Sequence, residues 1–340
     1  MNRRRALVDG RLNPSGASDT AAPSVQSFTA TTPSSSLTVT ITAFTADADA
    51  AAFIITENST PPAVDAAGWS ETAQTEHTVS AAGIYTLYPW AKDAAGNVSS
   101  EYGSPASVDV STLYANLTVL WHLNEVSDGS APVTRADSKG SNTLADNGTT
   151  ASGTGKLGDA GVFVVADQTS LSIADNTDLS MGDINFTWLV WIKTGASVSG
   201  TQMCLAKWTG SAGRREYQLY IYNTQFNFEV RNTADDASGS VAATTLGNLS
   251  VNTWYLVEIS HDADNNKLYI SGNGGARNET DWTGGVLNGV STFRLGAAGD
   301  TANSWLGGLA DEIGLWKGRV LSLAEIDESY GSGNGRALNP

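Results

Sequence analysis

Short runs in which hydrophobic and polar residues alternate occupy the chain between residues 23 and 112. In one run Leu37, Val39 and Ile41 fall on the same side, and comparable runs follow at residues 53–57 and 85–91. Alternation with a period of two is typical of a strand that buries one face, and turn-forming clusters separate these runs. The pattern therefore predicts a β-sandwich over residues 23–112.

The runs between residues 113 and 333 are longer and more apolar. Residues 186–192 are apolar on both alternating faces except at Thr187, which is typical of a central strand covered on both sides. Two hairpins are predicted, one pairing 217–222 with 226–230 around a turn at 223–225, the other pairing 254–260 with 267–270. Helical signals occur once, where Ser322 and Glu325 form a capping box. The predicted fold class is all-β.

The amino-acid composition excludes some classes of function and some kinds of cross-link. The 340 residues carry 19 Lys and Arg against 35 Asp and Glu, a net charge of −16, so we expect no nucleic-acid partner. Charged residues make up only 16% of the chain, as suits a loop-rich β protein covered by small polar side chains. The single cysteine, Cys204, excludes an internal disulfide, and its apolar neighbours predict a buried thiol.

Residues 1–22 are poor in hydrophobic residues and begin with a basic cluster formed by Arg3, Arg4, Arg5 and Arg11. Two interpretations stay open, a disordered tail or a docking arm that meets an acidic partner. The apolar stretch that a signal peptide needs does not follow the arginines, so we expect no signal peptide. No apolar run reaches the length of a membrane helix, so we expect no membrane insertion. Residues 334–340 are assigned to a short tail.

Two parts of the chain resemble known families. Residues 90–99 (WAKDAAGNVS) resemble the penultimate strand of bacterial Ig-like and fibronectin-like repeats of surface proteins, which implies an Ig-like sandwich at residues 23–112. Residues 113–333 resemble the concanavalin A-like, laminin-G-like jelly roll of bacterial and phage proteins. The segments that carry this resemblance are LWHLNE (120–125), DSKGSN (137–142), GKLGDA (155–160), LSIAD (171–175), FTWLVWIK (186–193), NTWYLV (252–257), GGLADEI (307–313) and LSLAEI (321–326).

The second resemblance implies one structural calcium ion near the start and end of the jelly roll. Asp137, Asp311 and Glu125 are the positions it indicates, because hard cations prefer carboxylate and carbonyl oxygens. Solvated acidic loops are the alternative interpretation. The fold itself does not specify a function, since it supports lectins, adhesion modules, enzyme appendages and structural domains.

Aromatic residues provide the candidates for recognition. Trp121, Trp188, Trp191 and Trp254 follow the strand period and are predicted to lie in the core. Three others, Trp208, Trp282 and Trp305, lie beside Gly, Ser, Thr or Asn at predicted strand ends. We interpret these three as platforms for a sugar ring or a partner protein, with packing at the rim of the core as the alternative.

Catalytic signals are missing from the sequence. The histidines His77, His122 and His261 form no zinc-binding pair and are interpreted as strand-surface residues. Glycosidases need two carboxylates facing one groove, whereas Glu229 and Glu258 are isolated and the acidic cluster at 325–328 lies on the terminal helix. We therefore expect a protein without enzymatic activity.

Residues 3–12 resemble the start of some phage tail-fibre and decoration proteins. With the basic arm and two β-domains, this predicts a non-enzymatic structural or adhesion protein on the surface of a bacteriophage virion. The arm would bind other virion proteins, and the jelly roll would face outward and bind host-surface polysaccharide. We also expect a homo-oligomer within the assembly. Two alternatives are kept, a bacterial extracellular carbohydrate-binding module of a larger enzyme or adhesin, and a glycan hydrolase or lyase.

Overall fold

The protein is almost entirely built of antiparallel β-sheets, which confirms the all-β class. A computed structural model describes residues 19–298 and 304–339, so Arg3, Arg4, Arg5 and Arg11 lie outside the described residues. The chain divides into two compact units, Met1–Thr112 and Leu113–Pro340. Among the described residues no helix has both the length and the apolar character needed to cross a membrane.

The first unit contains two three-stranded sheets, one in the order β1-β2-β4 and the other in the order β3-β5-β6. Both contribute to one core that includes Phe28, Val39, Leu87 and Val108. That the first unit is an Ig-like domain stays a prediction. The strands are β1 (Val25–Ala30), β2 (Thr38–Ala46), β3 (Ala52–Thr56), β4 (Glu76–Thr78), β5 (Gly83–Lys92) and β6 (Ala106–Val110).

The second unit is a sandwich of an eight-stranded and a seven-stranded sheet. The first has the order β19-β18-β17-β12-β21-β10-β9, with β7 also paired to β21, and the second has the order β16-β15-β14-β13-β20-β11-β8. The strands are β7 (Leu117–Trp121), β8 (Ala145–Asn147), β9 (Ala151–Thr154), β10 (Asp159–Phe163), β11 (Ser170–Ile173), β12 (Phe186–Thr194), β13 (Gln202–Trp208), β14 (Arg215–Tyr222), β15 (Gln225–Arg231), β16 (Ser238–Ala242), β17 (Trp254–Asp262), β18 (Lys267–Gly272), β19 (Asn278–Asp281), β20 (Phe293–Leu295) and β21 (Gly308–Lys317).

The alternating side chains of strand β12 contribute to two apolar clusters, one on each side of its sheet. Trp188 and Val190 point into the main core between the sheets, while Leu189 and Trp191 point to the other side, into a second apolar cluster. In the main core Trp188 stacks on Phe293, with ring centroids 5.2 Å apart. The prediction that this strand is covered on both sides is therefore confirmed.

The second cluster includes Ile326 from the only α-helix of the described residues, α1 (Leu323–Tyr330). The predicted capping box is present, since the Ser322 side chain accepts from the Glu325 backbone N–H and the Glu325 side chain accepts from the Ser322 N–H. Gly331 ends the helix in the left-handed conformation. Short 3₁₀ helices occur at Thr112–Tyr114, Thr244–Leu246 and Gly331–Gly333.

Several local predictions need correction. The β14–β15 turn contains only Asn223 and Thr224, both with positive φ, because a two-residue turn of this kind matches the twist of paired strands. His261 is buried rather than on a strand surface, and His122 lies just after β7. The buried state predicted for Cys204 is confirmed, and burial raises the pKa of its thiol.

Candidate functional site

An open cleft of about 460 Å³, here called the Trp305 cleft, lies at one end of the second unit. Loop residues between β12 and β13 form one wall, and the segment before β21 forms the other. Gln202 joins the two walls, because its Nε2 donates to the Ser197 carbonyl at 3.1 Å and its Oε1 accepts from the Gly307 N–H at 3.1 Å. The lining residues are Val165, Ala196, Ser197, Ser199, Gly200, Thr201, Gln202, Trp305 and Gly307.

The lining of the Trp305 cleft, over the residues that the structure describes, is uncharged and amphipathic. Half-buried Trp305 supplies an aromatic wall, and its indole N–H has no hydrogen-bond partner among the described residues. Hydroxyl groups of Ser197 and Ser199 lie 2.8 Å apart on the opposite loop. A ring opposite a row of hydroxyl and amide groups can hold a neutral ligand that has one apolar face and several hydroxyls.

A smaller cleft of about 170 Å³, here called the Trp208 cleft, also lies in the second unit. Its lining is Met203, Trp208, Thr209, Gly210, Gln218, Ala298 and Ser304. Met203 follows Gln202 of the Trp305 cleft in the chain, and Ser304 precedes Trp305. Trp208 packs beside Met203, Ala206 and Ala298. The Trp208 ring is therefore partly used in packing, and a platform role for Trp208 stays a prediction.

The structure does not place Trp282 in either cleft. Its ring lies on Gly239 and Gly284, where an added Cβ would come within 2.4 Å and 2.6 Å of ring atoms. Its indole N–H donates to the Gly285 carbonyl at 2.7 Å, and the side chain packs against the main core. The ring thus fills the space that neighbouring glycines leave, and a platform role for Trp282 stays a prediction.

Asp137 uses both carboxylate oxygens to hold its own loop. Oδ1 accepts from the backbone N–H groups of Leu120 and Lys139, and Oδ2 accepts from the backbone and side-chain N–H groups of Asn142, all at 3.0–3.1 Å. Burial alone would raise the pKa of Asp137, but these backbone donors outweigh it and the pKa is lowered. This carboxylate is therefore fully committed to loop structure.

Glu125 is likewise turned toward its own loop. Its Oε1 accepts from the Ala136 N–H at 2.6 Å, and its Oε2 lies 3.8 Å from Nη1 of the fully buried Arg135. The Arg135 guanidinium in turn donates to the carbonyls of Glu125 and Thr150. Arg135 thus connects two irregular segments, a role that the sequence did not indicate.

Asp311 lies at a β-bulge on β21, where two residues oppose Val190 of β12. Its Oδ2 accepts from the N–H groups of Lys156 and Leu157 at 2.6 Å and 2.9 Å, while its buried Oδ1 has no partner among the described residues. Gly155 permits the close approach of the Asp311 carboxyl to this loop, since a Cβ at position 155 would lie 2.6 Å from Oδ2. Burial raises the pKa of Asp311 to about 7.

The bulge also directs Glu312 toward His122. Glu312 adopts a left-handed backbone, with φ of 47°, and its Oε1 lies 2.7 Å from His122 Nδ1. That hydrogen bond raises the pKa of His122, although burial opposes the shift. Both residues line a third cleft, of about 320 Å³. Sequence reasoning missed this pair because the two positions are 190 residues apart.

The calcium ligands indicated by the resemblance do not fit one coordination site. Within residues 19–298 and 304–339 no group of three His, Cys, Asp or Glu side chains could hold a metal ion. Asp137 and Glu125 direct oxygens at loop N–H groups, while Glu125 Oε2 and Asp311 Oδ1 are buried oxygens without a hydrogen-bond partner in the described chain. Calcium binding stays a prediction.

Neither tryptophan cleft has the groups of a glycosidase. Their linings, as far as the chain is described, contain no Asp, Glu or His. On the seven-stranded sheet Glu229 accepts from Gln218 Nε2 at 2.8 Å, and no second carboxylate is paired with it in the register of the sheet. The described linings of the two clefts therefore lack the facing acid and base that glycosidic hydrolysis needs.

The second unit stacks two antiparallel sheets in the manner of a jelly roll. Residues 166–327 match the family model described as the Concanavalin A-like lectin/glucanases superfamily. This match confirms the predicted resemblance for that segment. No curated protein sequence matches the chain.

The chain is similar to several solved structures at low sequence identity. The binding domain of Paraclostridial Mosquitocidal Protein 1 is 12% identical, with a TM-score of 0.52 over 65% of this chain and 53% of its own. The botulinum neurotoxin serotype G binding domain is 11% identical, with a TM-score of 0.49 over 63% and 50%. The chain thus spans about half the length of these two structures. Domain 4 of the GH43 extracellular arabinanase AbnA from Geobacillus stearothermophilus, in complex with arabinotriose, is 18% identical, with a TM-score of 0.44 over 62% and 97%.

Proposed function

We propose that this protein is a non-enzymatic glycan-binding protein and that the Trp305 cleft holds an uncharged sugar. The observation that carries the proposal is the composition of the cleft, whose described lining combines one aromatic wall with hydroxyl and amide groups and contains no charged side chain. A pyranose presents an apolar face to an aromatic ring and hydroxyls to polar groups, and the cleft volume lies in the range of ordinary ligand sites. The lectin and glucanase membership of the matched family supports the same ligand class.

Replacing Trp305 by Ala is expected to weaken binding of neutral polysaccharide roughly thirtyfold, because truncating an aromatic anchor costs about 2 kcal/mol. An array of neutral and anionic oligosaccharides identifies the ligand, and calorimetry compares the variants. Trp69→Ala, in the first unit, is the matched control and should bind as the parent does. Unchanged affinity in Trp305→Ala, or a parent protein that binds only anionic glycans, would contradict the proposal. Loss of binding in Trp208→Ala alone would contradict the Trp305 assignment and place the site in the Trp208 cleft.

We further propose that the protein belongs to the surface of a bacteriophage particle, where residues 1–22 attach it to other virion proteins as a homo-oligomer. Four arginines in the first eleven residues give this arm a charge opposite to that of the strongly acidic chain, which suits an acidic docking surface. The jelly roll then faces outward with its clefts toward the host. The alternative is a bacterial extracellular carbohydrate-binding module of a larger enzyme or adhesin.

A variant that begins at Ala21 should keep the parent's melting temperature and fail to enter phage particles. A second variant, with Arg3, Arg4, Arg5 and Arg11 replaced by Gln, keeps the arm length and removes only its charge. Particles assembled with each protein are purified, and incorporation is quantified by immunoblot. Equal incorporation of both variants and the parent would refute docking through the arm. Failure of the parent itself to join particles would favour the alternative.

A further inference from the structure

The side chain of Lys207 is fully buried in the second unit. It lies on β13 opposite Tyr217 of β14, and lysine is rarely found at such depth without a charged partner. Its Nζ lies 2.6 Å from Oε2 of Glu216 and 2.8 Å from Oδ1 of Asp175, and it also donates to the Gly289 carbonyl. One amine is therefore held between two carboxyl groups.

Glu216 is also fully buried and is fixed in place by backbone donors. Oε1 accepts from the Met181 N–H, and Oε2 accepts from the Gly289 N–H at 3.1 Å. Burial raises the pKa of Glu216, and the neighbouring Lys207 ammonium opposes this shift without cancelling it. A carboxyl group in this position can take a proton from the amine and give it back.

Asp175 differs from Glu216 in its exposure. It lies in the loop between β11 and β12, and 32% of its side chain is accessible to solvent. Ser180 Oγ donates to Oδ1 at 2.8 Å, the same oxygen that meets Lys207. This hydrogen bond polarises the carboxyl group, and the exposed side leaves a path to bulk water.

We propose that Lys207 and Asp175 form an intramolecular amide, with Glu216 as the proton carrier. Lys207 passes one proton to Glu216, and the neutral Nζ attacks Cγ of Asp175. The new Nζ–Cγ bond replaces one Cγ–Oδ bond. Glu216 delivers the first proton to the departing oxygen, then takes a second proton from Nζ and delivers it to the same oxygen, which leaves as water. An ammonium and a carboxylate thus give an amide and one water molecule, with no oxidant or other reactant.

Two physical effects favour this reaction. The reacting groups are held at contact distance by separate parts of the fold, which gives an intramolecular reaction a high effective concentration. The amide also removes two charges from a site where charges are costly, whereas the unreacted trio keeps three charged groups beside the core. Glu216 is the less suitable acceptor, because backbone N–H groups fix both of its oxygens and no side of it is open to solvent.

The mass of the intact denatured parent protein tests the proposal directly. We expect a mass lower than the sequence mass by one water molecule. After trypsin digestion, Lys207 should be protected from cleavage, and the peptide 157–193 should remain joined to the peptide 194–214. A parent protein with the full sequence mass and a free 194–207 peptide would overturn the proposal and leave an ordinary buried ion pair.

Substitutions at Lys207, Asp175 and Glu216 test which side chains take part in the reaction. Lys207→Arg keeps the positive charge, and Asp175→Ala changes only the loop partner, so both should show their full sequence mass. Water loss that persists in either would place it elsewhere, for example at Asp128–Gly129 by succinimide formation, and would refute the assignment. Glu216→Gln should accumulate mostly uncross-linked protein, and complete cross-linking in that variant would remove Glu216 from the reaction. Because the mass is read under denaturing conditions, the parent result stands even if a variant folds poorly.

Discussion

Replacing Arg277 by Met is expected to lower the free energy of unfolding of the second unit by about 3–5 kcal/mol, the usual cost of leaving a buried charge without its partner. Glu258 on β17 is fully buried, and the Arg277 guanidinium contacts both of its oxygens, at 3.0 Å and 3.3 Å. Hydroxyls of Ser260 and Ser271 complete the coordination of this carboxylate. They cannot neutralise its charge when the guanidinium is removed.

A second substitution distinguishes two causes of the lost stability, the unpaired charge of Glu258 and the lost packing of Arg277. Adding Glu258→Gln to Arg277→Met removes the uncompensated charge and should recover more than half of the lost stability. Chemical denaturation followed by tryptophan fluorescence reports mainly on the second unit, which contains eight of the ten tryptophans. A loss below 1 kcal/mol in Arg277→Met would mean that water enters and solvates Glu258. A double variant as unstable as the single one would show that Arg277 acts through packing, including its contact with the Tyr269 ring.

The fold was predictable because its main determinants are local in the sequence. The apolar run of β12 and the capping box of α1 both follow from residues within a few positions of each other. Trp121 and Trp188 were also correctly predicted as core, since they obey the strand period. Half-buried Trp254 shows the limit of that rule, because a residue at the end of a strand is covered on one side only.

The candidate sites were less predictable because they depend on strand register and loop placement. No sequence pattern shows that Glu258 meets Arg277 or that His122 meets Glu312. Lys207 did carry a signal, since it follows Leu205 by two residues and therefore points to the same face, into the core. The packing of the Trp282 ring depends on Gly239, which lies on another strand, so the neighbours of Trp282 in the chain gave no indication of it.

The unfolding free energy of the second unit is expected to fall as the pH rises from 4 to 8, and Asp311 should account for most of the decrease. Burial raises the pKa of this carboxyl from 3.8 to about 7, so the folded protein favours its protonated form. Stability from such a group is fully present below pH 3.8 and is lost as the pH rises toward 7. Three pKa units correspond to roughly 4 kcal/mol.

Other titrating groups make a matched comparison necessary. The raised pKa values of His122 and Glu216 act in the same direction as that of Asp311, whereas burial lowers the pKa of His261, which acts in the opposite direction. The difference between the parent and Asp311→Asn isolates the one carboxyl, because the amide keeps its size and does not ionise. Denaturation curves at pH 4, 6 and 8 should show a smaller decrease for the variant. Parallel curves would contradict a protonated Asp311.

The same measurements test the predicted calcium ion. At pH 8 the ionised Asp311 leaves Oδ1 buried without a partner among the described residues, so a cation that reaches this oxygen would relieve the cost of ionisation. A ligand that binds only the folded state raises its stability by mass action. If calcium binds here, millimolar calcium should stabilise the parent at pH 8, EDTA should reverse the effect, and Asp311→Asn should respond to neither. Equal stability of the parent in calcium and EDTA would leave the loop N–H groups as the only partners of Asp311 and refute the calcium prediction at this position.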